Sequence, residues 1–350
     1  MTVLYLNGLS MLTPLGADLE MVKTAIDAGI SSYQQCALLG DDEALIQFSP
    51  VPDDALKVDI PSALPGMSPP QIRLLRLATF ALADLAPQLP QTPLPLFLAG
   101  PQLYYQHTAL NRAFIKRLAK SAGITLDINN SRCINTGRAG VIEAIATAFK
   151  YFDATHTHHV LIGGIDSFYD PRTLEILQRN RRLSGNKSFD GFVPGEGAAF
   201  LLLTSPHAPE AIRNKSLLTL HEPATVYEPG HLLSKAPYTA EALASVFQQA
   251  MATTDAPINT IYSSENGEMH YTKELGVATL RQQHRMDAQY KTHRPTEYFG
   301  DLGAAFAPVA IGLASTTINT QPEMATLVYA SSDGGSRAAL CLSANNPSQK

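Results

Sequence analysis

One arrangement of apolar strands occurs twice in this chain, and it limits the possible folds more than any other feature. In the first half, an apolar run at residues 160–162 ends at the pair Gly163-Gly164, and a second run follows at residues 198–203. In the second half, an apolar run at residues 327–330 is followed by the pair Gly334-Gly335 and by a second run at residues 338–342. Strands that lack polar alternation are buried on both faces, which is typical of a parallel sheet covered by helices. The repeat therefore predicts an internal duplication of an α/β unit, with Gly163-Gly164 matching Gly334-Gly335.

Segments with helical spacing of apolar residues separate the predicted strands. The clearest spans residues 138–152, and Asn135 or Thr136 is its expected N-cap. The other predicted helices cover residues 19–28, 71–85, 109–122, 238–253, 273–283 and 303–314. We divide the chain into an N-terminal half, residues 1–210, with loop insertions such as the proline-rich stretch 40–70, and a C-terminal half, residues 211–350.

Composition and charge exclude several classes of protein. Of the 350 residues, 45% are hydrophobic and 16% are charged, which provides a large core and excludes a disordered chain. The net charge of −5 leaves no basic excess for nucleic acid, and no apolar run reaches the roughly 18 residues that span a membrane. The first residues lack the charged region of a signal peptide. We therefore expect a cytoplasmic protein.

The sequence offers no evident metal or cofactor site. Its three cysteines, Cys36, Cys133 and Cys341, are far apart and form no CxxC pair, which argues against a disulfide framework or a zinc site. No GxGxxG motif follows a first strand, so a nucleotide-binding doubly wound protein is disfavoured. We expect neither a cofactor nor a metal.

The segment FDGFVPGEGA at residues 189–198 has the most unusual residue order in the chain. Gly195 and Gly197 permit positive φ and close approach of the backbone. One interpretation is structural: Asp190 and Glu196 bond to backbone amides within a tight loop. The segment also resembles, with a few residues deleted, the PFDxxRDGFVxGEGA segment of the β-ketoacyl-acyl carrier protein synthases.

Four further segments are similar to the same family and follow its order along nearly the whole chain. They are LYLNGLSMLTPLG at residues 4–16, GGID at 163–166, GDLGAA at 300–305 and SDGGS at 332–336. The resemblance implies the thiolase fold, an α/β architecture of two duplicated halves in five layers, α-β-α-β-α, which normally forms a homodimer. This agrees with the duplication predicted from the strands.

A strand-to-helix turn at residues 131–138 is the first candidate for chemistry. A helix N-terminus can lower the pKa of a thiol and make the thiolate nucleophilic. The family's nucleophile lies in this turn as C-x-[ST]-G, and Thr136-Gly137 matches the end of that motif. The nucleophile position then falls on Ile134, and Cys133 lies one residue early. Cys133 is either a displaced nucleophile or an ordinary small buried residue.

The family's two catalytic histidines are replaced in this chain. Its NAHGT motif aligns with Asn266 before Gly267, and an Asn donates a hydrogen bond but cannot shuttle protons. His270 lies four residues later and is either an additional donor or a solvated loop residue. The second histidine aligns with Gly300. Asp301 follows it, and a carboxylate has the wrong sign beside a developing enolate.

The family's lysine is lost as well, because its position falls on Pro295. The chain thus differs from the family at four catalytic positions, while its structural glycines match. We therefore predict that the fold is retained and the catalytic activity is lost. The residues expected around the former acyl pocket are Ile134, Thr136, Phe192, Gly300, Asp301, Asp333, Gly335 and Ser336.

Two functions remain open on this basis. The first is a non-catalytic partner or adaptor, like a chain-length-factor subunit or the short thiolase-like proteins encoded beside type VI secretion effectors in Gram-negative bacteria, which the chain resembles. The second is an active β-ketoacyl synthase or acyltransferase that forms an acyl-thioester on Cys133, with Asn266 and His270 as donors. A thiol at the floor of a tunnel favours the enzyme, and a thiol packed in the core favours the adaptor.

The resemblance also predicts partners. We expect a homodimer, with contacts from the strand before Cys133 and from a loop at residues 167–183 that holds Tyr169, Leu174, Ile176 and Leu177. The expected protein partner is an acyl carrier protein or a secretion effector. We expect no nucleic acid and no membrane as partners.

Overall fold

The computed structural model of this protein describes residues 3–38, 41–104, 109–185, 188, 190–209, 211, 218–318 and 322–344. Its strands are β1 (Val3–Leu12), β2 (Gln34–Leu38), β3 (Asp41–Phe48), β4 (Leu96–Ala99), β5 (Arg132–Ile134), β6 (His159–Ser167), β7 (Glu196–Thr204), β8 (Leu218–His221), β9 (Ala224–Tyr227), β10 (Ile258–Ser263), β11 (Met286–His293), β12 (Ala325–Ser331) and β13 (Ser336–Ala344). Its helices are α1 (Leu19–Asp27), α2 (Pro69–Leu85), α3 (Arg112–Ala122), α4 (Gly140–Ala154), α5 (Pro171–Arg179), α6 (Glu241–Met251), α7 (Met269–Arg281), α8 (Thr296–Phe299) and α9 (Phe306–Ser315). Turns of 3-10 helix at Gly137–Ala139 and Gly303–Ala305 lead into α4 and α9.

The two halves of the chain have the same sheet topology. The strand order is β5-β4-β6-β7-β1 in the first half and β11-β10-β12-β13-β9 in the second. In each half the first three strands of that order are parallel, and the fourth is antiparallel to both of its neighbours. β8 pairs with β1 and with β13, which joins the halves into one sheet of eleven described strands. The predicted duplication is confirmed.

Helices and sheet form five layers. The largest apolar cluster lies between the two halves of the sheet and contains α4 and α9. A second cluster packs α2 and α3 on the outer face of the first-half strands, and a third packs α6 and α7 on the outer face of the second-half strands. α9 is buried from Phe306 to Ala314 because both neighbouring layers contact it. This is the predicted α-β-α-β-α order. In the described ranges no helix combines the length and hydrophobicity needed to cross a membrane.

The pairing of the strands differs from the sequence-based prediction in two respects. β7 and β13 are buried but run antiparallel to their neighbours. Burial on both faces comes from the helical layers and does not depend on strand direction, so a continuous apolar run does not identify a parallel strand. Gly163-Gly164 lie within β6, whereas Gly334-Gly335 form the turn between β12 and β13. The two glycine pairs are therefore not equivalent, although the apolar strands that follow them are.

The predicted cap of α4 is wrong. The Asn135 side chain accepts a hydrogen bond from the Leu110 amide at 2.9 Å instead of capping the helix. The Ala139 amide at the helix start donates to the Ser332 hydroxyl at 3.0 Å. The cap of this central helix therefore comes from the other half of the chain.

Two loop predictions can be compared with the structure. The stretch 40–70, predicted as loop with one short strand, contains the strand β3, which forms a hairpin with β2. The predicted loop at 167–183 contains α5, and Leu177 is 0% exposed in a cluster with Phe168 and Phe192, so it belongs to the subunit's own core. The predicted boundary at residue 210 falls beside residues 212–217, and residues 210 and 212–217 lie outside the described part. The division at that point stays a prediction.

Candidate functional site

The segments to which the resemblance assigns chemistry meet at one place. β5, β10 and β12 end at Ile134, Ser263 and Ser331, and the loops after β5 and β10 approach the turns that open α4 and α9. Carboxyl ends of parallel strands lie at the same edge of a sheet, where open α/β proteins collect their binding residues. Here that edge carries a buried cluster of charges, which we call the central ion cluster: Arg138, Arg182, Glu268, Asp301 and Asp333.

Arg138 lies at the centre of the cluster, directly after the turn glycine Gly137, and is only 4% exposed. Its Nε donates to Asp301 Oδ2 at 2.8 Å, and its Nη1 donates to Asp333 Oδ1 at 2.6 Å. Burial alone lowers the pKa of a guanidinium, but the charges of Asp301 and Asp333 outweigh it and hold the pKa of Arg138 above its ordinary value. Arg138 is therefore a fixed cation.

Arg182 supplies the second cation. Its Nε and Nη2 donate to the two carboxylate oxygens of Glu268 at 2.7 and 2.6 Å, and its Nη1 donates to Asp333 Oδ2 at 2.7 Å. The Tyr271 hydroxyl also donates to Asp333. Burial would raise the pKa of the Asp333 carboxyl, but Arg138 and Arg182 hold it well below its usual range. Asp333 is therefore ionised and saturated with donors.

Asn266 belongs to this cluster, at the position the resemblance assigns to a catalytic histidine. Its Nδ2 donates to Asp301 Oδ2 at 3.1 Å and to Glu268 Oε2 at 3.0 Å. Asp301 Oδ1 accepts the Gly303 amide at 2.9 Å. Both Asn266 donor hydrogens are thus used by carboxylates, and neither is left for an acyl carbonyl.

Asp166, at the end of the GGID motif, borders the cluster. Its Oδ2 accepts the Ala304 amide at 2.9 Å and its Oδ1 accepts the Ser167 amide at 2.9 Å. Burial, with a further contribution from the Asp301 charge, raises the pKa of Asp166 to about 7 despite these hydrogen bonds. Asp166 is the titratable group of the site that changes charge near neutral pH.

Little space remains between these groups. The Phe192 ring packs against both cations, with its centroid 5.9 Å from the Arg138 guanidinium carbon and 5.2 Å from that of Arg182. A cavity of about 20 Å³, bordered by Arg138, Asp166 and Asp333, holds about one water molecule and no acyl chain. On its Arg182 side the cluster borders a more open pocket of about 590 Å³.

Cys133 and Ile134 lie on the edge strand β5 outside the cluster. The Cys133 side chain packs against the apolar cluster beneath α2 and α3, and Ile134 packs against the central cluster. Burial raises the pKa of the Cys133 thiol to about 12. Within the described residues, Cys133 does not line the 20 Å³ cavity. The thiol is protonated at neutral pH.

His270 also lies outside the cluster, at the start of α7. Its ring contacts Tyr238 and Tyr271 at centroid distances of 4.5 and 5.1 Å. Burial, and then the Arg337 charge, lower the pKa of His270 to about 4, so it is neutral at pH 7. Its Nε2 has no hydrogen-bond partner among the described atoms. The expected solvated loop histidine is instead a half-buried helical residue.

The other expected pocket residues have structural contacts. Thr136 Oγ1 donates to Glu143 at 2.7 Å. Gly300 has a φ of +72° and donates its amide to the Thr296 carbonyl at 2.9 Å. The Ser336 carbonyl accepts the Ser332 amide at 2.9 Å and closes the turn that contains Gly335. Of the expected site residues, the structure brings Phe192, Asn266, Asp301 and Asp333 together and leaves Cys133, Ile134, His270 and Ser336 outside their contacts.

The structural interpretation of the FDGFVPGEGA segment agrees with its contacts. Glu196 Oε1 accepts the Val51 amide at 2.8 Å, and both its oxygens accept from Arg73 at 2.5 and 2.6 Å. Asp190 Oδ1 accepts the Met269 amide at 2.8 Å. These two acids anchor the segment to α2 and α7.

Sequence reasoning missed Arg138, Arg182 and Glu268. Arg138 carried a usable signal, because a charged residue that immediately follows the turn glycine and precedes an apolar helix is placed towards the core. Arg182 and Glu268 carried none, since each lies in a polar loop segment that reads as solvated. Their burial follows only from the packing of the two halves.

Comparison with solved structures defines the class of fold. The ketosynthase from module 6 of the bacillaene synthase of Bacillus subtilis 168 matches with a TM-score of 0.78 at 15% identity, over 99% of this chain and 73% of that one. The ishigamide ketosynthase/chain length factor matches with a TM-score of 0.75 at 15% identity, over 98% and 99%. A structure of a type II polyketide synthase acyl-carrier protein in complex with its ketosynthase bound to the hexaketide also contains a match. Its TM-score is 0.75 at 15% identity, over 98% of this chain and 99% of that one.

The chain therefore has the thiolase fold of the ketosynthases, as the sequence resemblance implied. No family model and no curated protein matches it. At 15% identity the likeness establishes the fold alone.

Proposed function

We propose that this protein is a thiolase-fold relative of the β-ketoacyl synthases that does not condense acyl chains and instead acts as a non-catalytic partner or adaptor of another protein. The observation that carries the proposal is the central ion cluster. Arg138 and Asp301 pair at 2.8 Å in the region where the resemblance places the reacting groups, and the cavity beside Arg138 has room for about one water molecule.

The chemistry of condensation supports the same proposal. The reaction needs a thiolate, an oxyanion hole and donors to the second thioester carbonyl, and removal of one oxyanion-type donor typically lowers the rate about 10²–10³-fold. In this chain the first donor position holds Asn266, whose amide serves two carboxylates. The second position holds Gly300 and has no side chain. The Cys133 thiol, with its pKa of about 12, is not a thiolate at neutral pH.

The test combines acyl loading with decarboxylation. Purified protein is incubated with acyl-carrier thioesters and malonyl-carrier protein, and intact mass and released CO₂ are measured. We expect no acyl adduct at Cys133 and no CO₂. Because Cys36 is the exposed thiol, the Cys36→Ser variant serves as the background for the assay and Cys133→Ser as its matched control.

A second function, an active synthase or acyltransferase that uses Cys133, is the outcome that would overturn the proposal. Stoichiometric acylation that disappears in Cys133→Ser, followed by CO₂ release, would establish it. The partly buried position of Cys133 on an edge strand keeps this test meaningful, since a thioester can still reach a thiol of intermediate exposure.

The proposed assembly is a homodimer that holds a further protein, either an acyl carrier protein or a secretion effector, in the cytoplasm. β5 is one end of the sheet, which supports a contact between copies at that edge. Tyr169, one of the residues expected at the dimer contact, is 51% exposed. One of the compared structures, a carrier protein in complex with its ketosynthase, supports the choice of carrier protein as a partner to test.

A further inference from the structure

A row of polar side chains crosses the inner face of the second-half strands, where an apolar face is expected. Thr260 of β10 is the register partner of Lys291 on β11 and of Thr326 on β12, so the three side chains stand side by side on one face. Two residues further along, Tyr262 and Val328 lie on that same face and pack in the apolar cluster around α9. The polar row therefore faces the central helical layer.

The duplicated first half carries apolar residues on the same face of its equivalent strands. Phe97 of β4 is the register partner of Ile162 on β6, and both pack with Val160 in the cluster around α9. A polar side chain on the covered face of a sheet is unfavourable unless it has a partner or faces an open space. Because the two halves share one topology, the fold itself does not require the polar row.

The row borders an open pocket, because the central layer ends beside it. α9 ends at Ser315, and Ile318 follows at the wall of the pocket. The volume is about 540 Å³, within the range of about 300–1,000 Å³ that is typical of small-molecule sites. We call this space the β11 pocket, and its polar border consists of Thr260, Asp287, Gln289, Lys291, His293 and Thr326.

The polar groups of the β11 pocket differ in depth. Lys291 is exposed at the rim, Thr260 is half-buried, and Thr326 is only 2% exposed. Small-molecule sites combine a concave shape with a few polar groups that fix the orientation of the ligand. A ligand with a charged end at Lys291 would place its body over the two threonine hydroxyls.

The charges of the β11 pocket favour a single anionic group. Among the described residues that border it, Lys291 is the one cation, and no ion pair or hydrogen bond in that part of the chain engages its ammonium group. The His293 ring stacks on Tyr262 with centroids 5.0 Å apart. Burial, and then the Lys291 charge, lower the pKa of His293 below its ordinary value, so this imidazole is neutral at pH 7.

Asp287 adds a requirement for hydroxyl groups on the ligand. Its Oδ1 accepts the Gln289 amide at 2.8 Å, which leaves the other oxygen as an acceptor. A carboxylate accepts hydrogen bonds from hydroxyls and repels further negative charge. One cation beside one acid therefore suits a ligand with one carboxylate and several hydroxyls better than a polyanion.

We propose that the β11 pocket binds a small hydroxylated carboxylate of the sugar-acid class. Its carboxylate pairs with Lys291 by a charge-assisted hydrogen bond. The hydroxyls of Thr260 and Thr326, which both donate and accept, bind its hydroxyl groups, and Asp287 accepts a hydrogen bond from another.

This pocket is separate from the central ion cluster. Thr326 is the second residue of β12, and the cluster follows the end of that strand at Ser331, about 16 Å further along. Ligand binding at the β11 pocket is therefore independent of whether the chain is an adaptor or an active synthase.

The experiment titrates the full-length protein with three defined probes in a calorimeter: D-glucuronate, neutral D-glucose and D-glucose 6-phosphate. We expect D-glucuronate to bind at least about tenfold more tightly than D-glucose, because only the acid carries a group that pairs with Lys291. D-glucose 6-phosphate should bind more weakly than D-glucuronate, since its additional charge faces Asp287.

Three variants locate the binding. Lys291→Gln should weaken D-glucuronate binding by about tenfold or more, and Thr260→Val, which keeps the shape of the side chain, by about threefold or more. Lys273→Gln is the matched control, because Lys273 is also an exposed lysine but lies on α7, which covers the outer face of the same strands. We expect this control to leave binding unchanged. Far-ultraviolet circular dichroism establishes that all variants fold.

Several outcomes would overturn the proposal: no D-glucuronate binding at millimolar concentration, equal binding of D-glucose, or tighter binding of D-glucose 6-phosphate. The same holds if Lys291→Gln lowers the affinity no more than Lys273→Gln. None of these outcomes bears on acylation of Cys133, which tests the proposed function separately.

Discussion

At the scale of single residues, the groups in this site bind one another and leave no group free for a thioester. Two guanidinium groups hold three carboxylates, and Asn266 donates to two of those acids. A buried carboxylate without a partner is strongly unfavourable, so each member of such a cluster depends on the others. Substitutions here are therefore expected to affect folding stability more than those of expected site residues outside the cluster, such as Cys133.

We predict that Gly335→Val destabilises the protein far more than Cys133→Ser. Gly335 has a φ of +102°, and an added Cβ would lie 2.5 Å from the Tyr227 ring and 2.9 Å from the Glu228 carbonyl oxygen. Strain and overpacking of this kind cost about 2–4 kcal/mol, whereas the exchange of one partly buried thiol costs at most about 1–2 kcal/mol. Thermal melts of the two variants measure the difference, and equal melting temperatures would contradict it.

We predict that Asp166 makes stability fall as pH rises from about 4 to 7. Its folded-state pKa of about 7 lies above the ordinary value of 3.8, so the folded protein holds a proton that the unfolded chain releases. At about 1.4 kcal/mol per pKa unit, the loss reaches roughly 4 kcal/mol above pH 7. Asp166→Asn should remove this dependence.

Urea unfolding at pH 5 and pH 8 measures it as a difference between the wild type and Asp166→Asn. The difference cancels the opposite contribution of His270, whose pKa is lowered to about 4 from the ordinary 6.5 and therefore makes stability rise with pH between those values. The same pH dependence in both proteins would show that Asp166 is not the titrating group.

At the scale of elements, the central helices are capped across the two halves. The first amide of the α4 turn is satisfied by Ser332, and the Ala304 amide before α9 is satisfied by Asp166. α3, in contrast, is capped locally: Asn111 Oδ1 accepts the amides of Ala113 and Phe114 at 2.9 and 3.2 Å, and Gly123 ends the helix with a φ of +66°. Outer helices thus form from local signals, and central helices need both halves.

We predict that Asn111→Ala lowers the free energy of unfolding by about 1 kcal/mol, because it removes the acceptor for two amides at the start of α3. Asn111→Asp should retain the stability, since a carboxylate accepts the same amides and interacts favourably with the helix N-terminus. Urea denaturation of both variants gives the values. Equal losses in both would show that the side chain does not cap α3.

The helices that could be predicted well were those with local signals. The apolar spacing of residues 71–85 identified α2 (Pro69–Leu85) to within two residues, and the Ser68 capping box begins it. The β-prone residues at 217–226 predict one strand. The described part of that stretch instead forms two strands, β8 and β9, and β8 pairs with β1 of the other half. That pairing joins segments about 200 residues apart and leaves no trace in a local pattern.

At the scale of the whole molecule, the central ion cluster links the two halves of the chain by ion pairs. Arg138 and Arg182 precede β7 in the first half, and each pairs with acids from the second half of the chain. Every one of these contacts crosses the junction between the duplicated units. The junction therefore combines the apolar central layer with charges that hold one relative arrangement of the loops.

We predict that Arg138→Met costs about 3–5 kcal/mol of folding stability, because it leaves Asp301 and Asp333 buried with one cation fewer. Arg179→Met is the matched control: its partner Glu175 is exposed, and surface pairs contribute about 0–1 kcal/mol. Chemical denaturation compares them. A loss of the same size in both variants would show that the cluster does not stabilise the junction.

We predict a homodimer in solution at micromolar concentration, formed at the β5 end of the sheet. Light scattering with size-exclusion chromatography measures the mass, which should be twice 37.7 kDa. A monomer would reject the prediction, and Leu177, being buried in its own subunit, is not expected to affect the assembly.

By itself, the sequence determined the class of fold and the loss of family residues at the chemical positions. Apolar periodicity and turn glycines act over a few residues. They can be recognised in the sequence without knowing which elements pack against them. The duplication could be recognised as well, because each half repeats those local signals.

Only the tertiary structure decided which groups meet where the resemblance places the reacting groups. Arg138 lies 163 residues from Asp301 and 195 residues from Asp333, so no local pattern could pair them. Their burial arises when the two halves of the sheet close over one helical layer. In that space an arginine is stable only beside carboxylates, and this packing turns residues that read as solvated into a closed ion cluster.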